Sequence, residues 1–239
     1  MIRFVLLLLS LCFIVLNCQQ RKTSSIYYNP LANAQDIQQF RLEGKARLDF
    51  PNDRLRMQNV LPESAKQKAN FVLWCPLEVK EGVKISFKFK ALSRRGLAVF
   101  FFLAQGRDGS DLFSKHLQIR TGEYKQYHHG DIDSYHLSYY RRRKERDIAS
   151  PNIRLRKSYG HHIARTAADP IQFQKEHLLE FQVLHGSITF SVDGTVILSW
   201  KESGKFGKAL KKGKFGFRQM APLVAEYSEL EVFALEISD

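Results

Sequence analysis

The chain has 239 residues, 44% of them hydrophobic, and carries 37 Lys and Arg against 24 Asp and Glu, a formal charge of +13. Of its three cysteines only Cys75 lies beyond residue 18, which excludes a disulfide framework and a two-cysteine zinc or redox centre in the body of the chain. The fold must therefore stand on its apolar core.

Arg3 precedes an apolar run from Phe4 to Leu16, too short to span a bilayer comfortably and followed by polar residues, the pattern of a secretory signal over residues 1–17. The run ends in Val15-Leu16-Asn17-Cys18, which resembles a bacterial lipobox with Cys18 as the lipidated first residue of the mature protein; Asn17 departs from the usual small residue, so simple secretion or an uncleaved anchor stay open. Residues 18–25 then form a polar tether to a lipid anchor, and residues 26–239 a single domain. Losing the leader leaves a surplus of +12. Such a charge commonly marks nucleic acid or an anionic membrane, but an exported protein meets acidic glycans instead, so nucleic acid is not an expected partner and the membrane is reached only through the anchor.

One short helical candidate, Asn33 to Phe40, comes before a pattern that alternates almost to the end. Ile85, Phe87 and Phe89 share one face of a half-buried strand, and Leu97 to Leu103 reads as a strand covered on both faces. Leu178 to Leu184, Ile188 to Val192 and Thr195 to Trp200 are three strands joined by tight turns at His185-Gly186 and Asp193-Gly194. About ten short strands, with no repeat or heptad, predict an all-β sandwich or barrel in which one outer face curves into a groove.

The segment from residue 120 to 165 concentrates the chemistry, with eleven Lys or Arg against five Asp or Glu, and six of the eight histidines lie between residues 116 and 162. A strand over residues 134 to 142 puts Tyr135, Leu137 and Tyr139 inward and His136, Ser138, Tyr140 and Arg142 outward. In the same way Ile153 and Leu155 turn in while Arg154 and Arg156 turn out, so the outward set makes a groove floor of His, Tyr and Arg, whose forked guanidinium groups suit carboxylates or sulfates. Arg141-Arg142-Arg143-Lys144 reads equally well as a solvated loop. Trp74 alternates with Phe71, Leu73 and Cys75 and is either a sugar-stacking platform or a core residue. His128, His129, Asp131, Asp133 and His136 lack closed metal spacing, so no cofactor is expected, with a structural calcium left open.

The blocks Trp74-Cys75-Pro76, Gly106-Arg107-Asp108-Gly109-Ser110-Asp111-Leu112-Phe113, Arg120-Thr121-Gly122-Glu123-Tyr124, Gln126-Tyr127-His128, Gly130-Asp131-Ile132, Arg156-Lys157-Ser158-Tyr159-Gly160 and Gly216-Phe217-Arg218-Gln219-Met220-Ala221-Pro222-Leu223 resemble the YesU-like family, DUF1961, from about Tyr27 to Leu235. The resemblance implies a concanavalin A-like lectin/glucanase jelly roll and a role beside polysaccharide degradation, with no settled reaction. Laminarinase-like enzymes of that broad fold carry E-x-D-x-x-E on a bulged strand; here Asp131, Asp133 and His136 occupy the corresponding string. A paired-carboxylate hydrolysis lacks its second glutamate. A β-eliminating lyase needs a base, an acid and a carboxylate clamp, for which His136 or His128, Tyr140 or Tyr139, and Arg142, Arg154, Arg156 or Arg218 offer themselves. Glu123 and Glu226 read as arginine partners. The expectation is an exported, periplasmic or outer-membrane lipoprotein that cleaves acidic poly- or oligosaccharide by lyase or hydrolase chemistry; the alternative is a carbohydrate-binding lipoprotein without turnover.

Overall fold

The structure, a computed structural model, describes residues 23–144, 148, 152–166 and 168–235. The leader and Cys18 lie outside the described residues. The chain folds as two antiparallel sheets packed face to face, and the elements follow from the alternation of apolar and polar residues.

Strands β1 (Thr23–Asn29), β2 (Arg41–Gly44), β3 (Ala46–Asp49) and β4 (Leu55–Asn59) open the fold, with a 3-10 turn at Ala34–Ile37 where a longer helix was expected. Asn33 caps that turn, and Asp36 answers by accepting from the Asn33 N–H, so the signal for a helix start was real while the helix is a single turn. Next come β5 (Phe71–Lys80), β6 (Val83–Ala91) and β7 (Gly96–Gly106). The short helix α1 (Tyr124–His128) precedes β8 (Ile132–Arg142), β9 (Arg154–Lys157) and β10 (His161–Arg165). Two hairpins join β11 (Glu176–Leu184), β12 (Ser187–Val192) and β13 (Thr195–Lys201), and β14 (Lys212–Met220) and β15 (Val224–Leu235) close the chain. One sheet has eight strands, in the order β13-β12-β11-β6-β15-β4-β3 with β1 also on β15; the other has seven, in the order β10-β9-β8-β7-β14-β5-β2. These fifteen strands exceed the ten expected because β2, β3, β4 and β10 have only four or five residues and β1 begins in a polar stretch. Thr23–Ser25, inside the polar stretch, are paired with β15.

The inner faces meet in an aromatic core. Ile85, Phe87 and Phe89 are inward as alternation requires, and Phe87 packs edge-on against Phe217 at 4.9 Å. Burying each such ring stabilises the fold by roughly 1.5–3 kcal/mol. β7 is buried along both faces. Its second face belongs to a smaller cluster outside the seven-stranded sheet, where Val72, Trp74, Val99 and Phe101 are covered by Leu112 and Tyr127 of the 107–128 segment.

Candidate functional site

The covering segment is fastened by a buried ion pair. Arg120 Nη2 donates to Glu43 Oε1 at 2.8 Å and to the Leu112 carbonyl at 3.0 Å, while Tyr127 Oη donates to Glu43 Oε2 at 3.0 Å. Gly122 allows the close approach: its φ is +94°, and a Cβ there would sit 1.9 Å from the Asn70 carbonyl oxygen. This arrangement makes the Arg120-Thr121-Gly122 block an anchor, and it sets α1 across the outer face of the seven-stranded sheet.

Beside α1 the sheet is left uncovered, and a cavity of about 220 Å³ opens there. Leu97, Val99 and Met220 form its apolar floor, Gln67 and Tyr124 one wall, and Ser138 and His136 the other; Arg141, Arg143, Arg156 and Arg218 bring four guanidinium groups to it. No carboxylate among the described residues lines it. His136 Nε2 lies 2.7 Å from Tyr124 Oη, and His136 Nδ1 is buried with no hydrogen-bond partner among the described residues. Burial, then the charges of Arg156, His128 and Arg218, hold His136 well below the usual histidine range, so the imidazole is neutral. Burial raises the Tyr124 phenol, while Arg156, Arg218 and Arg141 pull it back.

Arg218 is fully buried. Its Nη2 donates to the Gly122 carbonyl at 3.1 Å and to Gln67 Oε1 at 3.3 Å, and its guanidinium stands 5.3 Å from the Tyr124 ring centre. Nε and Nη1 have no hydrogen-bond partner among the described residues, and burial lowers its pKa to about 10. A buried guanidinium with open donors and no carboxylate beside it is built to receive an anion. Gln67 Oε1 also accepts from the Tyr124 N–H at 3.1 Å and from Asn70 Nδ2 at 3.0 Å, which ties the pocket wall to Arg218.

The structure sorts the expected site residues. His136, Arg156 and Arg218 meet in the pocket. Arg154 is outward on β9 opposite Ser138, with its Nε on Asn152 Oδ1 at 2.8 Å, and it borders the pocket without lining it. His128 stands behind Tyr124, ring centres 4.1 Å apart, and burial followed by His129 lowers its pKa to about 4.

Tyr140 and Arg142 are corrections. Two residues of β8, Tyr140 and Arg141, face one of β7, Leu97, between the pairs Tyr139 with Ala98 and Arg142 with Gly96, so β8 bulges, and Tyr140 takes a φ of +46°. Tyr140 therefore turns into the core beside Tyr139, its Oη donating to the Ser93 carbonyl at 2.7 Å. The extra residue reverses the alternation beyond it. Arg142 goes inward to a buried pair with Asp169 at 3.0 Å, and Arg141 and Arg143 take the pocket. Trp74 is also corrected: it points outward, yet the covering segment buries it against Phe101 at 5.4 Å, so no sugar can stack on it.

Asp131 and Asp133 do not join His136. Asp131 Oδ2 accepts from the Gln118 N–H at 2.6 Å before β8 begins, and Asp133 stands 3.5 Å from Arg107 in a different cavity, on the opposite side of the strand from His136. The bulge that would have turned all three together lies at Tyr140 instead. Glu226 pairs with Arg56 at 2.8 Å as expected, and Glu123 lies in a separate recess with Lys45 and Lys68. No group of three or more His, Cys, Asp or Glu among the described residues is placed to hold a metal. Tyr124, Gln67 and Arg141 were missed as site residues: Tyr124 reaches His136 only through docking of the covering segment, Gln67 sits in a polar turn with no motif, and Arg141 is outward only because of the bulge.

Comparisons with known proteins agree with this fold. The chain is 37% identical over 217 residues to the uncharacterized protein YesU of Bacillus subtilis (strain 168), an alignment spanning 89% of this chain and 96% of that one. It superposes with a TM-score of 0.86, at 36% identity, on a crystal structure of a Bacillus subtilis protein of unknown function with a galectin-like fold, covering 91% of this chain and all of that one. The κ-carrageenase of Pseudoalteromonas carrageenovora, solved in complex with an oligotetrasaccharide of κ-carrageenan, shares the fold at a TM-score of 0.56 and 10% identity, covering 94% and 100% of the two chains. With residues 24–232 matching the domain of unknown function DUF1961, the chain belongs to that family, on a jelly-roll sandwich of the lectin and glucanase kind.

Proposed function

We propose that the protein binds an acidic oligosaccharide in the arginine pocket and cleaves it by β-elimination. The observation that carries this reading is the neutral Tyr124–His136 pair placed in a cavity with four guanidinium groups and no lining carboxylate among the described residues. Hydrolysis by paired carboxylates has no second partner there. Elimination needs none. Arg218 and its neighbours would hold the uronate carboxylate and spread the charge that develops when the adjacent proton leaves. Tyr124 Oη takes that C5 proton as its own passes to His136 Nε2; the C4–O bond breaks, a C4=C5 double bond forms, and the proton returns through Tyr124 to the leaving oxygen. Only a neutral imidazole can accept in this relay, and a bound carboxylate would offset the guanidinium field that weakens His136 as a base. Carbohydrate as the ligand class is supported by a fold shared with a carrageenase bound to its oligosaccharide.

The depth of the pair favours a second reading. His136 is 1% exposed, and a pocket this closed could recognise a sugar acid without turning it over. Incubating the protein with pectic and algal acidic polysaccharides while following both ultraviolet absorbance and new reducing ends separates the readings. Absorbance with reducing ends, both lost in Tyr124→Phe, supports elimination; reducing ends alone point to hydrolysis; calorimetric binding with neither signal leaves a recognition protein. Export and a lipid anchor at Cys18 complete the proposal, and palmitate incorporation that persists in Cys18→Ser would remove the anchor from it.

A further inference from the structure

A second cavity lies where β8 begins and β9 ends, under the connection from β13 to β14. Its volume is about 650 Å³, and Arg107, Tyr159, His161, Lys205, Phe206 and Lys208 are among the residues that line it. Ligand pockets commonly span about 300–1,000 Å³, so this cavity falls within that range whereas the arginine pocket falls below it and suits about one sugar ring.

Three features give the cavity a recognisable chemistry. Tyr159 is half-exposed with φ +62°, a conformation unfavourable for an aromatic residue, and the Arg107 guanidinium lies 4.3 Å from its ring centre. Phe206 and His161 pack at 5.2 Å, tilted by 31°, in the same lining. Lys205 and Lys208 are exposed and have no carboxylate partner among the described residues. Rings that offer a flat apolar face, in a lining where Arg107, Lys205, Lys208, Lys211 and Lys212 outnumber the carboxylates Asp108 and Asp133, fit a sugar ring bearing an acidic substituent.

The two cavities are joined by a file of rings. Tyr124 of the arginine pocket contacts His128 at 4.1 Å, His128 contacts His129 at 4.1 Å, His129 meets Tyr159 at 6.2 Å, and Tyr159 meets His161 at 6.4 Å. His129, Tyr159 and His161 are all exposed, so the file lies open to solvent along the end of α1. We infer that the cavity at Tyr159 is a distal subsite for the same acidic oligosaccharide, and that the ligand is an oligomer laid along these rings from Tyr124 to Phe206. The inference rests on the acidic-carbohydrate reading of the arginine pocket and extends it from one sugar to a chain.

Binding length tests it. Calorimetric titration of the full-length protein with di- and hexagalacturonate, and in parallel with κ-carrageenan di- and hexasaccharides, compares short and long ligands in a Tyr124→Phe background that holds them uncleaved. The expected result is a hexamer that binds at least tenfold more tightly than the dimer, with that advantage erased by Tyr159→Asn and reduced by Lys208→Ala while dimer affinity is unchanged. Asparagine accepts the left-handed backbone that Tyr159 adopts, so an unchanged thermal midpoint certifies the variant's fold. A hexamer advantage that survives Tyr159→Asn overturns the distal subsite; if Arg156→Ala still weakens both lengths in that case, the arginine pocket stands. Absence of binding by either length of either glycan overturns the acidic-carbohydrate reading and the subsite with it.

Discussion

The two faces of the seven-stranded sheet are made by the same strands and behave differently. Its inner face packs aromatic residues against the other sheet, and its polar atoms are few. Its outer face divides: where the 107–128 segment lies over it, Trp74 and Phe101 become a second core, and where the segment stops, His136 and Arg218 become a pocket. The difference teaches that alternation along a strand decides which face a residue takes, whereas a loop docked from elsewhere decides whether that face is core or site.

The comparison is broken most severely at the fastening. Arg120→Ala leaves Glu43 buried without its ion partner, which costs about 3–5 kcal/mol. Thermal unfolding should fall by about 10 °C, since each kcal/mol shifts a domain of this size by roughly 2–4 °C. If the midpoint stays within 2 °C, the segment is held by its apolar contacts and not by the pair.

Acid should loosen the pocket side next. The folded pKa of His136 is depressed, so its contribution is fully present above the unfolded value of about 6.5 and is lost as pH falls below it, because the unfolded chain then binds the extra proton. His128, lowered to about 4, acts in the same direction. His136 costs up to about 1.4 kcal/mol per pH unit below 6.5, and the half-exposed His128 costs less because solvent screens it. Chemical denaturation at pH 7 and pH 5 should show the loss in the wild type and a shallower slope in His136→Gln; equal slopes would place the sensitivity elsewhere.

Two tyrosines, Tyr140 that spacing puts at the site and Tyr124 that the structure puts there, sharpen the contrast at smaller cost. Tyr140→Phe gives up one hydrogen bond to the Ser93 carbonyl, a loss of about 1 kcal/mol in stability with glycan binding untouched. Tyr124→Phe should leave stability within about 1 kcal/mol and remove turnover. Reversal of these two phenotypes would mean that the bulge in β8 is misassigned. A smaller effect belongs to Cys75, whose thiol burial pushes up to about 12, so alkylation at pH 8 should proceed only after unfolding.

Much of the inner face was legible in the chain. Ile85, Phe87 and Phe89, the turns at His185-Gly186 and Asp193-Gly194, and the outward Arg154 and Arg156 all follow from period-two alternation and turn chemistry, both of which are local. The site was only half legible, because its decisive features are not local. A bulge is one residue with positive φ, and a tyrosine at that position gives no warning; every residue after it changes face. Alternation sets Trp74 opposite Phe71, Leu73 and Cys75 and leaves platform or core open, because what covers it, Leu112 and Tyr127, comes from further along the chain. Tyr124 is brought to Arg218 by the same docking and Gln67 by the polar turn before β5, and no spacing in the sequence expresses either.

The pairing of β1 with β15 has a practical consequence. Thr23 lies opposite Leu235, so both ends of the described chain leave from neighbouring strands of the eight-stranded sheet, the one that does not carry the arginine pocket. A tether or affinity handle attached at either end therefore holds the molecule by its back, leaving the pocket and its file of rings turned outward to whatever flows past. A short linker between these ends would also permit new termini elsewhere, and cutting the chain at the Asp193-Gly194 turn would produce a circular permutant that keeps every strand contact of the seven-stranded sheet.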